Sequence, residues 1–180
     1  MTCIVGMIDK KKKVVIMGAD SAGTDGALNQ SIRKDTKIFY NGDFLIGCTS
    51  SFRMIQLLRF SFHPPLRGEK DIYEYMCTDF VNAVRECFKS GGFLQKFTDG
   101  DEKGGSFLVA YKDRLFAVLT DFQVQENLNG LDACGCGEAY ALGSMHSSIG
   151  TPKDKIKKAL QAAELFSAAV AGPFNILETR

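Results

Sequence analysis

Three times along the chain a short apolar run breaks at a tight polar turn and resumes as a second apolar run. Thr2 to Ile8 (TCIVGMI) stops at Asp9–Lys13 (DKKKK) and continues as Val14 to Ser21 (VVIMGADS). Lys37–Tyr40 (KIFY) and Phe44–Thr49 (FLIGCT) flank Asn41-Gly42, a strong hairpin pair. Gly104–Tyr111 and Arg114–Thr120 flank Lys112-Asp113. Runs this short, rich in β-branched and aromatic residues and joined by so few residues, fit antiparallel strands and leave no room for a crossover helix. The chain must therefore build its core around hairpins.

Helices are expected between and after them. Ser50-Ser51 supplies a cap for a helix carrying Met54, Leu57, Leu58 and Phe62 at helical spacing, and Pro64-Pro65 ends it. Asp71 to Ser90 keeps one broad apolar face until Gly91-Gly92. Glu138 to Ser147 and Lys153 to Ala169 form a second helical pair, and Pro173 to Leu177 reads as a last strand. Gly23 to Gly26 reads as loop, and Ala133–Gly137 as a Gly/Cys turn. The predicted order is ββ, ββ, αα, ββ, αα, β. Two antiparallel sheets, each carrying two helices on its outer face, would use every apolar face, giving a four-layer αββα sandwich of the α/β class. Without a linker or internal repeat, residues 1–180 are expected to form one domain.

Composition removes several function classes. A net charge of +1 supplies no global field for nucleic acid or membrane, and the Lys10–Lys13 run lacks interleaved aromatics and reads as a solvated turn. No run of about 18 apolar residues is present, so no membrane span is expected. Six cysteines without a signal-peptide core point to reduced thiols and a cytoplasmic location, and no spacing gives a paired zinc site. Cys134-Gly135-Cys136 reads as structural.

The chemistry concentrates at the amino terminus. A threonine hydroxyl attacks a carbonyl at neutral pH only if a base removes its proton. A free α-amine on the same residue, with a reference pKa near ~8, can be that base. Trimming of Met1 would give Thr2 such an amine at the start of a strand. Asp20 ends the partner strand of the first hairpin, which brings it beside Thr2, and Lys37 opens the next hairpin. A carboxylate and an ammonium beside a hydroxyl and an amine make a proton network: the lysine charge lowers neighbouring pKa values and the aspartate orients the lysine.

These residues carry a resemblance. Thr2-Cys3-Ile4-Val5-Gly6 followed by VVIMGADSAGTDG, ending at Gly26, resembles the opening of proteasome β subunits and of bacterial HslV, N-terminal-nucleophile hydrolases with a "GADS-x-x-T-x-G" segment. Asp35-Thr36-Lys37-Ile38 is similar to the strand carrying that family's catalytic lysine, with Lys34 the other candidate. Gly47-Cys48-Thr49-Ser50-Ser51 falls where the family has its oxyanion turn. Gly135-Cys136-Gly137, followed by Tyr140, resembles its later Gly-Ser-Gly turn.

The resemblance implies a threonine-type peptidase that cleaves peptide bonds through an acyl ester on Thr2. Asp20, Lys37 and Cys136 would complete the catalytic set, and Ser51, Ser50 and Ser21 would hold oxyanion and substrate. It further implies a homo-oligomeric ring or open ring, polypeptide substrates, an ATP-dependent unfoldase as possible partner, and no metal or other cofactor. This chain departs from the pattern at Ser51 (usually glycine), at Cys136 (usually serine), and in lacking a late aspartate within Ser167–Pro173. Two rival functions are a silent ring subunit that retains Met1 and an amidase for a small metabolite. Cys3 is turned away from Thr2 by strand alternation, and His63 and His146 lie in unrelated segments, so a cysteine–histidine dyad is not expected. No phosphate-cradling loop is present.

Overall fold

A computed structural model describes residues 2–25, 29–97 and 100–180. Met1, and Gly26 at the end of the Thr/Gly loop, lie outside the described residues. The first hairpin joins β1 (Cys3–Asp9) to β2 (Val14–Ala19), and the Asp9 carboxylate holds its turn by accepting from Lys11 and Lys12 N–H at 3.0 and 3.1 Å. The Gly23 loop is instead a small strand, β3 (Ala22–Thr24), paired with β4 (Gln30–Ile32); two three-residue strands carry too little pattern to read in advance. The Asn41-Gly42 hairpin joins β5 (Ile38–Asn41) to β6 (Phe44–Cys48), with Gly42 at φ +57°, the positive value this turn demands.

Ser51 caps α1 (Phe52–Phe60), accepting from Arg53 N–H, and Asp71 caps the longer helix. That helix runs from α2 (Ile72–Tyr75) through a π-helical stretch (Met76–Phe80) into α3 (Val81–Ser90). After the short pair β7 (Gln95–Lys96) and β8 (Glu102–Lys103) come β9 (Phe107–Tyr111), β10 (Arg114–Val118), β11 (Val124–Gln125) and β12 (Leu131–Gly135). Then follow α4 (Glu138–Ser147), α5 (Pro152–Phe166) and β13 (Asn175–Glu178). Thr151 and Asp154 close a capping box on α5, which starts at Pro152 and ends before Ser167, shorter than its apolar pattern suggests.

One sheet has the order β12-β1-β2-β13 and the other β11-β10-β9-β6-β5, with antiparallel pairing throughout. Antiparallel strands usually alternate apolar and polar residues because one face meets water. Here both faces are covered, so the period of two separates two cores. On β1, Cys3, Val5 and Met7 pack under α4 and α5, while Ile4 points into the space between the sheets with Met17, Leu45, Leu108 and Leu115. On the second sheet, Phe44, Ile46, Phe107 and Phe116 pack under α1, α2 and α3. Three apolar layers between four structural layers give the αββα sandwich. Each such side chain contributes about 1.5–3 kcal/mol by burial.

A further reading of the sequence is corrected here. Ala133–Gly137 is not a turn throughout: Ala133 to Gly135 complete β12, which pairs along β1 from Cys3↔Gly135 to Met7↔Leu131, and the turn is confined to Cys136-Gly137. An aspartate and a glycine disguise this strand, whose place is set by β1 rather than by its own propensity.

Candidate active site

The register of β1 against β2, Ile4↔Ala19, carries on past the last paired residues and sets Cys3 beside Asp20. Asp20 N–H donates to Cys3 O at 3.3 Å, and Cys3 N–H donates to Asp20 Oδ1 at 2.9 Å. Lys37, just before β5, reaches across from the second sheet and donates from Nζ to the same Oδ1 at 2.8 Å. Asp20 Oδ2 accepts from Ala22 N–H at 2.9 Å. Both charged side chains are buried, Lys37 and Asp20 each at 0% exposure. Burial lowers the lysine pKa below its usual 10.5, and the charge and hydrogen bond of Asp20 pull against that shift. Lys37, not Lys34, meets the aspartate; Lys34 is exposed.

The opposite flank of Thr2 is built by the end of β12. Gly135 has φ +103°, and a Cβ there would lie 2.2 Å from Thr2 O, so only glycine lets the strand end pass this close. Beyond it, Thr2 N donates to Cys136 Sγ at 3.3 Å, and the thiol donates to Thr2 O at 3.4 Å. Gly137 N–H also donates to Thr2 O at 3.4 Å. Ser167, at the end of α5, donates from Oγ to Cys136 Sγ at 3.4 Å. Thr2, Asp20, Lys37 and Cys136 are thus brought together from β1, β2, the start of β5 and the β12–α4 turn.

The serines divide. Ser50 has φ +65°, and its Oγ accepts from Ser106 N–H at 3.2 Å. Ser51 N–H donates to Thr49 O at 2.7 Å, so in this conformation the expected oxyanion donor is closed into a tight turn. Ser21 does not face this space: its hydroxyl donates to Pro173 O at 2.6 Å and accepts from Asn175 Nδ2 at 3.1 Å, which ties it to the carboxy-terminal segment. The alternation that buries Asp20 turns its neighbour the other way.

A cleft of about 470 Å³ opens on the Cys136 flank, lined by Thr49, Ser50, Gly135 and Cys136 and by two carboxylates, Asp132 and Glu138. Burial raises the pKa of both, and the charge of Asp132 raises Glu138 further. Sequence reasoning singled out neither of these, nor Ser167; Asp132 sits inside the misread strand, and Ser167 lies in a segment searched for an aspartate. Cys3 is fully buried, which drives its thiol up to about 12 and removes it as a nucleophile. His63 Nδ1 lies 3.0 Å from Ser61 O, and Cys87, which lines the same cleft, donates its thiol to Leu57 O. No cluster of metal-ligating side chains occurs among the described residues, and none of their helices is long and apolar enough to cross a membrane.

Neither a protein-family model nor a curated protein matches the chain. Solved structures share its fold. Thiobacillus denitrificans BPH in complex with epoxomicin superposes with a TM-score of 0.78 at 20% identity, covering 99% of this chain and 98% of that one. Eukaryotic HslV from Trypanosoma brucei gives 0.68 at 17% identity over 98% of each chain. The Gly-1 mutant of Anbu from Hyphomicrobium sp. strain MC1 gives 0.70 at 14% identity, covering 100% of this chain and 82% of that one. At such identities the likeness is one of fold, and the chain has the HslV-like, proteasome-type fold.

Proposed function

We propose that the chain is a threonine-type peptidase, one unit over its whole length, working from Thr2 after loss of Met1. The observation that carries this reading is Asp20 Oδ1, which accepts from both Lys37 Nζ and Cys3 N–H and so fixes a buried ammonium beside the residue that follows the nucleophile. The Thr2 hydroxyl attacks the scissile carbonyl and passes its proton to the Thr2 amine. The Lys37 charge lowers that amine's pKa and keeps more of it neutral near pH 7. The tetrahedral intermediate puts negative charge on the former carbonyl oxygen. Ser51 N–H meets it once the bond to Thr49 O opens, and such a donor supplies about 2.7–4 kcal/mol to the transition state. The departing amide nitrogen takes the proton from the amine, leaving an ester on Thr2 Oγ. Water then attacks the ester with the amine again as base, releasing the acid and restoring Thr2.

Cys136 orients the amine by accepting from Thr2 N, and Ser167 orients the thiol. The cleft on this flank receives part of the polypeptide. The fold supports a homo-oligomeric ring or open ring with the sites facing a chamber; to this we add a cytoplasmic location and an ATP-dependent unfoldase as a possible feeder. Proteins of this fold include BPH, seen in complex with epoxomicin, so an epoxyketone is the fitting probe. It should label the wild type, with an intact mass lower by one methionine, and leave Thr2→Ala unlabelled. Equal labelling of the two proteins removes the assignment. The closed Ser51 turn favours one alternative, a silent ring subunit; retained Met1 together with no labelling would establish it.

A further inference from the structure

Two clefts share Tyr40, Ile176 and Leu177 and so form one groove, about 1110 Å³ in the part beside the β1–β2 turn and 440 Å³ in the part that runs back between β13 and β5 to Asn175, Thr36 and Ile38. The larger part wraps the edge strand β13, the outermost described strand of its sheet, near the turn where β1 and β2 meet: Ile16 and Ile176 line it on the α5 side, and Ile8 and Leu177 on the side that faces the other sheet. One rim is the turn Lys10–Lys12 and the other is the first turn of α5, with Lys153. Arg59 lines the smaller part.

The charges around this groove do not cancel. Asp9 Oδ1 is engaged by Lys11 and Lys12 N–H, and Glu178 faces Lys12 Nζ at 4.0 Å. Among the described residues Lys10, Lys11, Lys153 and Arg59 make no ion pair. An apolar floor between cationic rims matches a ligand that carries apolar side chains and carboxylates together. The groove's two aromatic rings offer no free stacking platform for bases, since the Arg180 guanidinium covers Tyr40 at 4.1 Å and Phe39 is buried, which separates it from a nucleic-acid site. We propose that the groove docks an acidic peptide segment of a partner protein across the β13 edge, with aliphatic side chains against Ile8 and Leu177 on one side and Ile176 on the other and carboxylates facing Lys10, Lys11 and Lys153. β1 is seven residues long, so the lysine turn lies about 20 Å from Thr2, while the smaller part of the groove reaches Ile38, next to Lys37.

The test is fluorescence anisotropy of the full chain with a short labelled peptide alternating glutamate with leucine and isoleucine. Binding should saturate and weaken at least ~10-fold in the variant Lys10→Glu, Lys11→Glu, Lys153→Glu, and it should weaken with added salt. These three changes lie at the surface and leave the cores intact; a circular-dichroism melt matching the wild type checks this. A lysine–leucine peptide should not bind. Equal binding by the charge-reversed protein overturns the proposal. So does an oligothymidylate that binds as tightly as the peptide. A change in sedimentation coefficient on charge reversal without peptide reassigns the groove to contact between copies of the chain, and also overturns it.

Discussion

Thr2 is held between two flanks of opposite character. On the β2 side the support is charged, buried and multiply bonded: one carboxylate takes a lysine and two backbone N–H groups. On the β12 side it is neutral and partly exposed, a chain of sulfur contacts from Ser167 through Cys136 to Thr2. Ion pairs in a dry interior fix geometry strongly and tolerate the loss of one partner poorly. Sulfur hydrogen bonds at 3.3–3.4 Å are long and weak by comparison. The charged flank therefore sets where Thr2 sits, and in the proposed mechanism the neutral flank tunes how well it works.

The largest effect should follow from cutting the charged flank in half. Lys37→Ala leaves Asp20 buried with no cation, which should cost about 3–5 kcal/mol of stability and abolish peptide hydrolysis. The double change Lys37→Met, Asp20→Asn removes both charges together. It should melt near the wild type and still be inactive, because the fold needs the pair cancelled while the chemistry needs the charge. Denaturant titration beside a peptidase assay measures both, and a double variant with activity would erase the contrast between the flanks. Lys34→Ala, at an exposed position, serves as the neutral control.

Gly135→Ala attacks the neutral flank through its backbone. A residue with φ +103° and a Cβ 2.2 Å from a carbonyl oxygen cannot fit unless the β12 end moves away from Thr2. Strain of this kind costs about 1–3 kcal/mol, so the protein should fold with a lowered melting temperature. Epoxyketone labelling should slow by more than the stability loss explains. Labelling at the wild-type rate would show that the close approach of Gly135 serves the fold alone.

The difference between the flanks also decides what the sequence makes legible. Asp20 stands at the end of a long apolar strand whose hairpin register is local, so its place beside Thr2 follows from counting residues along β1 and β2; Lys37 comes from the other sheet, and the family resemblance pointed to it. Thr2 and Cys136 meet through pairing between residues more than a hundred positions apart, on a strand whose propensity is hidden by Asp132 and Gly135; only the family resemblance pointed there. Ser167 is further from reach, because its role depends on where α5 stops, and the apolar pattern runs on to Val170 without marking that point. The layer architecture was readable because the strands of the two large sheets and the helices that cover them had apolar faces to place. The closed Thr49–Ser51 turn and the π-helical stretch were not, since both are backbone choices that many sequences allow.

Titration should separate the flanks again. Burial lowers the Lys37 pKa, so the ammonium is lost at a pH below the 10.5 of an ordinary lysine. Activity should then fall on an alkaline limb below 10.5, read as kcat/KM against pH, and Cys136→Ser should leave that limb in place. The stability term has the opposite sign. Between the lowered folded pKa and 10.5 the unfolded chain holds the proton and the folded chain does not, so unfolding takes up a proton and the Lys37 contribution grows with pH, by up to about 1.4 kcal/mol per pH unit. Cys3 works against it. Its folded pKa is raised from 9.0 to about 12, so its contribution is complete below pH 9 and declines as pH rises through that window. Cys3→Ala should flatten the alkaline loss of stability without touching the activity limb. Loss of that limb in Cys3→Ala would transfer it from Lys37 to the thiol.

The smallest effects belong to the side chains of the neutral flank. Cys136→Ser replaces a weak sulfur partner with an oxygen that accepts more strongly from Thr2 N, and should raise peptide hydrolysis a few-fold with no change in stability beyond about 0.5 kcal/mol. Ser167→Ala removes only the donor to Cys136 and should lower activity about two- to three-fold, the value of a single weak hydrogen bond. The two residues act through one another, so the effects should not add. In Cys136→Ala the Ser167 change should do nothing, because the atom it steadies is gone. A double-mutant cycle on kcat/KM gives the coupling directly. If Ser167→Ala costs the same with and without the thiol, Ser167 acts on the helix end rather than on the site, and the neutral flank shrinks to Cys136 and the backbone of Gly135.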